Sequence, residues 1–270
     1  MLDDLGRALD LPQPPSRLVS LVPSLTELLF ALGAGRCVVG VTRFCVRPAA
    51  TRGIRRVGGT KTPDLRAIRA LEPDLVIANA EENRREDIEG LTKAGVPVYV
   101  TFPKTVAEAI GLARRLAGVL ALPDGGEAIA GRLEAAHRAA LARSGTRPLV
   151  FCPIWKRPWM SFNDDTFAHD MLVVAGGDNV CAGAAARYPI VDAGLLATCR
   201  PEIVLLPSEP YRFGERDLDD VRALFAAAAA APPIVRFVDG QALTWYGPRI
   251  DWGLRVLQDA LAPSGVTQSL

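Results

Sequence analysis

The chain has 270 residues, 49% of them hydrophobic and 23% charged, enough to bury one large core or two moderate ones. Its 31 Lys and Arg against 30 Asp and Glu leave a net charge of +1 with no block of like charge, so nucleic acid or an anionic membrane finds no electrostatic footprint. No apolar run approaches a membrane span, and the opening MLDDLGRALDLPQPPSRLVSL lacks a basic stretch followed by an apolar core; the chain as written reads as cytoplasmic, or as periplasmic or cell-surface if a leader was trimmed.

In chain order, Pro12, Pro14 and Pro15 keep the entry extended, and Arg17 to Val22 reads as the first strand. Ser24 to Glu27 follow at once with the pattern of a capped helix start, whose amides face the strand end, a common place for a ligand. A second strand, Val38 to Thr42, ends at Arg43, Phe44 and Cys45. The loop VGGTKTP, Val57 to Pro63, lacks the first Gly of a phosphate loop, but two adjacent glycines allow a sharp turn and Lys61 sits between two threonines. Lys61 is read equally as a solvated turn residue and as a presented cation. Strands at Leu75 to Ala78 and Val96 to Val100, with a helix from Thr105 to Leu120, complete a right-handed α/β pattern.

The stretch Asp124 to Arg143 carries apolar residues Ile129, Leu133, Ala136 and Ala140 at helical spacing, opened by Pro123. At 1.5 Å per residue it makes a rod roughly 30 Å long. The segments on either side echo each other. Leu65 to Glu82, LRAIRALEPDLVIANAEE, shares its grammar with Leu195 to Tyr211, LLATCRPEIVLLPSEPY, Pro201 standing where Pro73 stood. Leu28 to Gly40 likewise resembles Met171 to Gly183, each a helix stopped by glycine, at Gly33 and Gly176. The expectation is an α/β fold of two Rossmann-like lobes, residues 1–122 and 146–270, joined by a single long backbone helix, 123–145, with a ligand cleft between the lobes.

Beyond the rod, the strand Pro148 to Cys152 opens into PIWKRPWMS, two tryptophans among prolines and cations. This composition suits a stacking wall rather than core. A helix spans Thr166 to Ala175, the strand Ile203 to Leu206 ends at Ser208 to Tyr211, Ala226 to Ala231 is a helix tail, and Pro233 to Val238 is the last strand. The segment TWYGPR then leads into a helix from Ile250 to Leu261.

Catalysis has little support. The two histidines, His137 in the rod and His169 after Phe167, have no nucleophile motif nearby; no dinucleotide fingerprint occurs, and no metal-binding set is present. Cys37, Cys45, Cys152, Cys181 and Cys199 lack paired spacing and read as small core residues. What converges on the expected cleft is Phe44, Lys61, Trp155, Arg157, Trp159, Tyr188, Tyr211, Trp245, Tyr246 and Arg249. Broad aromatic faces with a few cations suit a large, flat, partly apolar ligand bearing amide, carboxylate or phosphate groups, such as a tetrapyrrole-type molecule or an iron chelate.

The segments RLVSLVPSLTELLFALG, VGGTKTPDLRAIRALEPDLVIA, IWKRPWM and LLPSEPYRF, in that order, resemble the cobalamin-binding and iron-chelate solute receptors of bacterial importers, the helical backbone metal receptors, over Arg17 to Leu261. The resemblance implies a monomeric, noncatalytic binder of cobalamin or a related corrinoid, with Ser24, Phe44, Lys61, Trp155, Trp159 and Trp245 at the matching cleft positions. It implies no cofactor of the protein's own, the ligand being the metal chelate, and delivery to an ABC permease that docks through Glu86 and Glu215; whether a side chain such as His169 reaches the chelated metal stays open. The alternatives are an iron-siderophore or haem receptor, and a cytoplasmic corrinoid-handling protein or enzyme on the same fold.

Overall fold

The computed structural model describes residues 1–263, so the end of the range expected for the C-terminal lobe, 264–270, lies outside the described residues. The chain divides into two compact units. One comprises Met1–Pro103, Ala107–Glu134 and Tyr246–Pro248; the other comprises Lys104–Val106, Ala135–Trp245 and the chain from Arg249 onward.

The first unit is built on β1 (Leu18–Ser20), α1 (Pro23–Ala31), β2 (Val38–Val41), β3 (Arg55–Arg56), α2 (Leu65–Ala70), β4 (Leu75–Asn79), α3 (Arg85–Lys93), β5 (Val98–Thr101), α4 (Val106–Val119) and the beginning of α5 (Pro123–Leu141). Its sheet is parallel throughout, in the order β3-β2-β1-β4-β5. Every residue of β4 is buried, as expected of a central strand covered on both faces. One core cluster joins Val19 and Val76 of the sheet to Ile68 of α2 and Ile88 and Leu91 of α3. Each such side chain contributes about 1.5–3 kcal/mol by leaving water.

The second unit carries β6 (Leu149–Phe151), α6 (Phe167–Ala175), β7 (Asp178–Asn179), α7 (Ala193–Cys199), β8 (Ile203–Pro207), α8 (Leu218–Ala227), β9 (Ile234–Val238), α9 (Gln241–Thr244) and α10 (Ile250–Leu261). Its sheet is also parallel, in the order β7-β6-β8-β9. Setting β3 aside, each sheet places its successive strands in the order second, first, third, fourth. The internal echo is therefore architectural: α1 and β2 correspond to α6 and β7, and α2 and β4 to α7 and β8. Gly33 and Gly176 both take left-handed backbone at the ends of the corresponding helices. The division of the chain falls inside α5, between Glu134 and Ala135.

Some expectations change. The first helix begins two residues earlier than a Ser24 cap indicates, with Pro23 in its first turn and Val22 as a cap that offers no side-chain hydrogen bond. Ser24 is buried instead of capping. The alanine run at 226–231 does not continue α8, which stops at Ala227; Ala229 takes left-handed backbone, and two prolines follow. The unexpected α3 shows only a thin apolar stripe, Ile88 and Leu91. The opening residues are also built in. Asp4 N–H donates to Val100 O (3.1 Å), while the Asp3 and Asp4 carboxylates accept from the amides of Val100 (3.3 Å) and Phe102 (2.9 Å), so this segment lines the outer side of β5.

The double-glycine loop after β3 turns as its composition predicts. Gly58 has φ +92°, and a Cβ there would stand 2.5 Å from Thr62 O and 2.8 Å from Asp64 N, both backbone atoms. Gly58→Ala is expected to cost about 2 kcal/mol through combined strain and contact, read as a lowered midpoint in urea denaturation with an unchanged slope.

Candidate functional site

In a parallel sheet every strand ends on the same edge, and a ligand in such folds sits where neighbouring connections leave in opposite directions. In the first unit that point lies between β1 and β4, in the second between β6 and β8. The candidate residues fall on the connections that leave these edges.

In the first unit, β1 runs into Ser24 in the first turn of α1. Beside it lies Tyr246, buried; burial above all, with Glu82 next, pushes its phenol well above the ordinary tyrosine range, against the hydrogen-bonding influence of Ser24 and Thr101. Phe44 follows β2 with about half its surface exposed, and the Arg43 guanidinium stands 4.8 Å from its ring centroid. Lys61, exposed at the tip of the loop after β3, donates to the backbone carbonyl of Glu81 on the loop after β4. Two asparagines hold that loop. Asn79 Oδ1 accepts from the amides of Glu81 (2.9 Å) and Glu82 (3.1 Å), and its Nδ2 donates to Thr101 O (2.9 Å). Asn83 Oδ1 accepts from Asn79 N (2.9 Å) and its Nδ2 donates to Thr60 O (2.9 Å). This bonding satisfies a row of backbone groups that would otherwise be buried unpaired. An Asn at the end of a buried strand, with a second four residues on, is the sequence signal that could have identified the pair.

In the second unit, IWKRPWM closes as a tight hairpin, Met160 N–H donating to Trp155 O (3.0 Å) and Ile154 N–H to Met160 O (2.8 Å). Trp155 is 46% exposed and meets Tyr211, from the loop after β8, edge to face at 5.6 Å between centroids. Trp159 has a different setting. It stacks on Phe213 at 5.9 Å with an interplanar angle of 3° and packs against the core cluster of this unit. The two cations of the hairpin also part. Lys156 bonds to the carboxylates of Asp217 and Asp220, whereas Arg157 projects at the hairpin tip, its side chain 83% exposed and 3.9 Å from Asp220. Lys156 is thus an internal anchor rather than a cation offered to a ligand.

Tyr188 lies on the segment paired with the hairpin's return, where Val191 N–H donates to Trp159 O (2.9 Å), and Arg187 stands 6.0 Å from the Tyr188 ring. Trp245 donates its indole N–H to Glu209 Oε1 at 2.8 Å. The Arg249 guanidinium lies 5.9 Å from the Trp245 ring centroid and 5.0 Å from that of Trp252. Glu209, Asp217 and Trp252 are partners that sequence reasoning missed: Glu209 serves Trp245 and Asp217 serves Lys156 across long stretches of chain, while Trp252 meets Arg249 from one helical turn away. His169 is knitted into the unit, its Nδ1 3.2 Å from Asn179 Nδ2, and burial holds its imidazole below the ordinary range despite Asp164 and Asp170.

These surfaces offer ring faces, amide and hydroxyl hydrogen bonds and a few cations. Such groups can hold a broad ligand. Among the described residues no group of three or more His, Cys, Asp or Glu is placed to hold a metal ion.

The profile of the periplasmic binding protein family matches residues 18–223. The vitamin B12-binding protein of Vibrio parahaemolyticus serotype O3:K6 is 28% identical over 194 residues, covering 71% of this chain and 70% of that protein. Among solved structures, the periplasmic vitamin B12 binding protein BtuF of Vibrio cholerae superposes with a TM-score of 0.77 at 22% identity, covering 93% of this chain and 98% of that one, a likeness of fold. The apo form of the periplasmic heme-binding protein RhuT from Roseiflexus sp. RS-1 superposes with a TM-score of 0.76 at 25% identity, over 92% of this chain and 99% of that one.

The anchor under the hairpin is open to measurement. Burial works against the Asp217 carboxylate, but Lys156, the Gly214 amide and Arg216 together hold it below the usual range. A carboxyl depressed in the folded state binds fewer protons there than when unfolded. Its contribution is therefore complete above the ordinary value of 3.8 and is lost as pH falls through the lower folded value. Lys156→Met, which strands Asp217, is expected to cost about 3 kcal/mol at pH 7, a deficit that shrinks below pH 3.8 as the carboxyl protonates, measured by denaturation across pH.

Proposed function

This chain belongs to the periplasmic binding protein family, and on that premise we propose that it binds cobalamin or a related corrinoid and presents it to an ABC permease. The observation that carries the reading is the pair of indoles on the second unit, Trp155 set edge-on to Tyr211 and Trp245 held at its N–H by Glu209. Indole faces fixed by their edges suit the flat macrocycle and amide-bearing rim of a corrinoid. The relative named for vitamin B12 binding supports the same choice.

In this reading residues 1–122 and 146–270 are the two lobes and 123–145 is the helix that joins them. Ser24, Phe44 and Lys61 serve from the first lobe; Trp155, Arg157, Trp159, Tyr188, Tyr211, Trp245, Tyr246 and Arg249 serve from the second stretch of chain, Tyr246 packing with the first compact unit beside Ser24. The protein is a noncatalytic monomer without a cofactor of its own, and it works outside the cytoplasm. Glu86 and Glu215 dock the permease. Glu86 stands in the first turn of α3 with its side chain 74% exposed, and Glu215 is exposed at the opening of the turn before α8. With β3 set aside, each therefore follows the third strand of its own sheet, an equivalence that supports a paired role.

A second reading, a haem or ferric-siderophore receptor, is favoured by the exposed Tyr188 beside Arg187 and by the likeness to a heme-binding protein. Titration of the purified protein with cyanocobalamin, cobinamide, haemin and a ferric siderophore, followed by tryptophan emission, separates the two. Saturable quenching by the corrinoids is expected; quenching by haemin or the siderophore alone selects the second reading, and quenching by none of the four sinks both. Trp155→Ala and Trp245→Ala are each expected to weaken corrinoid binding by roughly 1–3 kcal/mol. Unchanged affinity in both removes these rings from the site.

A further inference from the structure

The loop Ser208–Tyr211, which leaves β8, touches two indoles of the second unit, those of Trp155 and Trp245. Tyr211 meets Trp155, and two residues earlier Glu209 meets Trp245. The loop needs no carboxylate to keep its own shape. Ser208 N–H donates to Val238 O at 3.0 Å, and Gly240 N–H donates to Ser208 Oγ at 3.0 Å. These two bonds already tie the end of β8 to the end of β9.

The Glu209 side chain is enclosed at close quarters. A Cβ on Gly240 would stand 2.5 Å from Glu209 Cγ and 2.6 Å from its backbone nitrogen, so only glycine lets the carboxylate pass. Beyond Gly240 its Oε1 accepts from Trp245 Nε1 (2.8 Å) and from Thr244 Oγ1 (3.2 Å). Thr244 has a second acceptor in Gly240 O at 3.1 Å, whereas Glu209 is the partner found for the indole N–H. Arg249, over the ring, restrains the indole across its face but cannot set its rotation about the face normal; the in-plane bond to Glu209 does.

We propose that Glu209 is the positioning residue for Trp245, fixing the angle at which that indole is presented to ligand. The proposal rests on the reading that Trp245 lies in the ligand site. Glu209 does not touch the ligand; it acts through the ring.

The test uses the full chain with Glu209→Ala, Glu209→Gln, Trp245→Ala and the double variant Glu209→Ala/Trp245→Ala, with cyanocobalamin affinity measured by equilibrium dialysis. Near-ultraviolet circular dichroism of the ligand-free proteins is recorded in parallel. Glu209→Ala is expected to weaken binding about tenfold, the scale of one lost hydrogen bond to a charged group. Glu209→Gln, which keeps an acceptor at Oε1, stays within about threefold of the parent on the same scale. The double variant binds no more weakly than Trp245→Ala alone, because the carboxylate has no route to the ligand once the ring is gone. In the dichroism, Glu209→Ala loses the band that Trp245→Ala loses. Full additivity in the double variant, equal losses for Gln and Ala, or an unchanged dichroism spectrum in Glu209→Ala would each overturn the proposal. If Trp245→Ala leaves affinity unchanged, the site assignment of Trp245 fails instead, and the dichroism of Glu209→Ala still decides whether the carboxylate holds the ring.

Discussion

Parallel strand order is the constraint on which the rest of this molecule depends. Strands that all run the same way need a crossover connection each, and every crossover starts from the same edge. Both units obey this in the same order of strands, so the loops that start crossovers carry the polar and aromatic residues with chemistry to offer. The same constraint concentrates unsatisfied backbone groups there. In the first unit Asn79 and Asn83 answer that demand with side-chain amides and leave Lys61 and the glutamates at the rim. In the second unit the loops close with aromatic contacts, and Trp155, Tyr211, Phe213 and Trp159 form a continuous chain of ring contacts from the exposed edge into the core.

That chain of rings separates two kinds of aromatic that composition alone cannot tell apart. Trp159 is stacked and packed, and its contribution is to hold the hairpin on the sheet. Trp155 is half open and keeps only an edge contact, which fixes a ring without covering it. The cations divide in the same way. Lys156 meets a buried carboxylate, Asp217, whose other acceptor position takes the Gly214 amide at 2.9 Å, while Arg157 and Arg249 stay within reach of solvent or ring faces. A ligand surface here is what remains after internal bonding has taken its share.

The fold was largely legible. Proline and glycine punctuation gave away the repeated helix and strand pairs, because Pro73 and Pro201 end helices while buried apolar runs follow them. The final helix was read with its bounds intact, Ile250 to Leu261, since its apolar residues keep a strict helical period. The two-residue strands β3 and β7 escaped because periodicity needs more than one repeat to be seen, and α3 escaped because two buried apolar residues make a faint stripe. At the site, residue type pointed to the right loops but not to the right roles. Nothing in the string WKRPW says that the lysine turns toward carboxylates about sixty residues away while the arginine beside it does not. Such pairings are long-range, and Glu209 with Trp245 is another, separated by thirty-six positions.

The acidic pair near the start of the chain has a consequence of its own. An outermost strand carries free amides that can recruit a strand from another molecule, and nature commonly blunts such borders with charge. Asp3 and Asp4 do so from within the same chain, laying carboxylates where a foreign backbone carbonyl would dock. Shortening this protein by a few residues at that end would uncover the outer side of β5 and open a seam for self-association at a lateral edge of the first sheet, whereas the indole-bearing loops belong to the second.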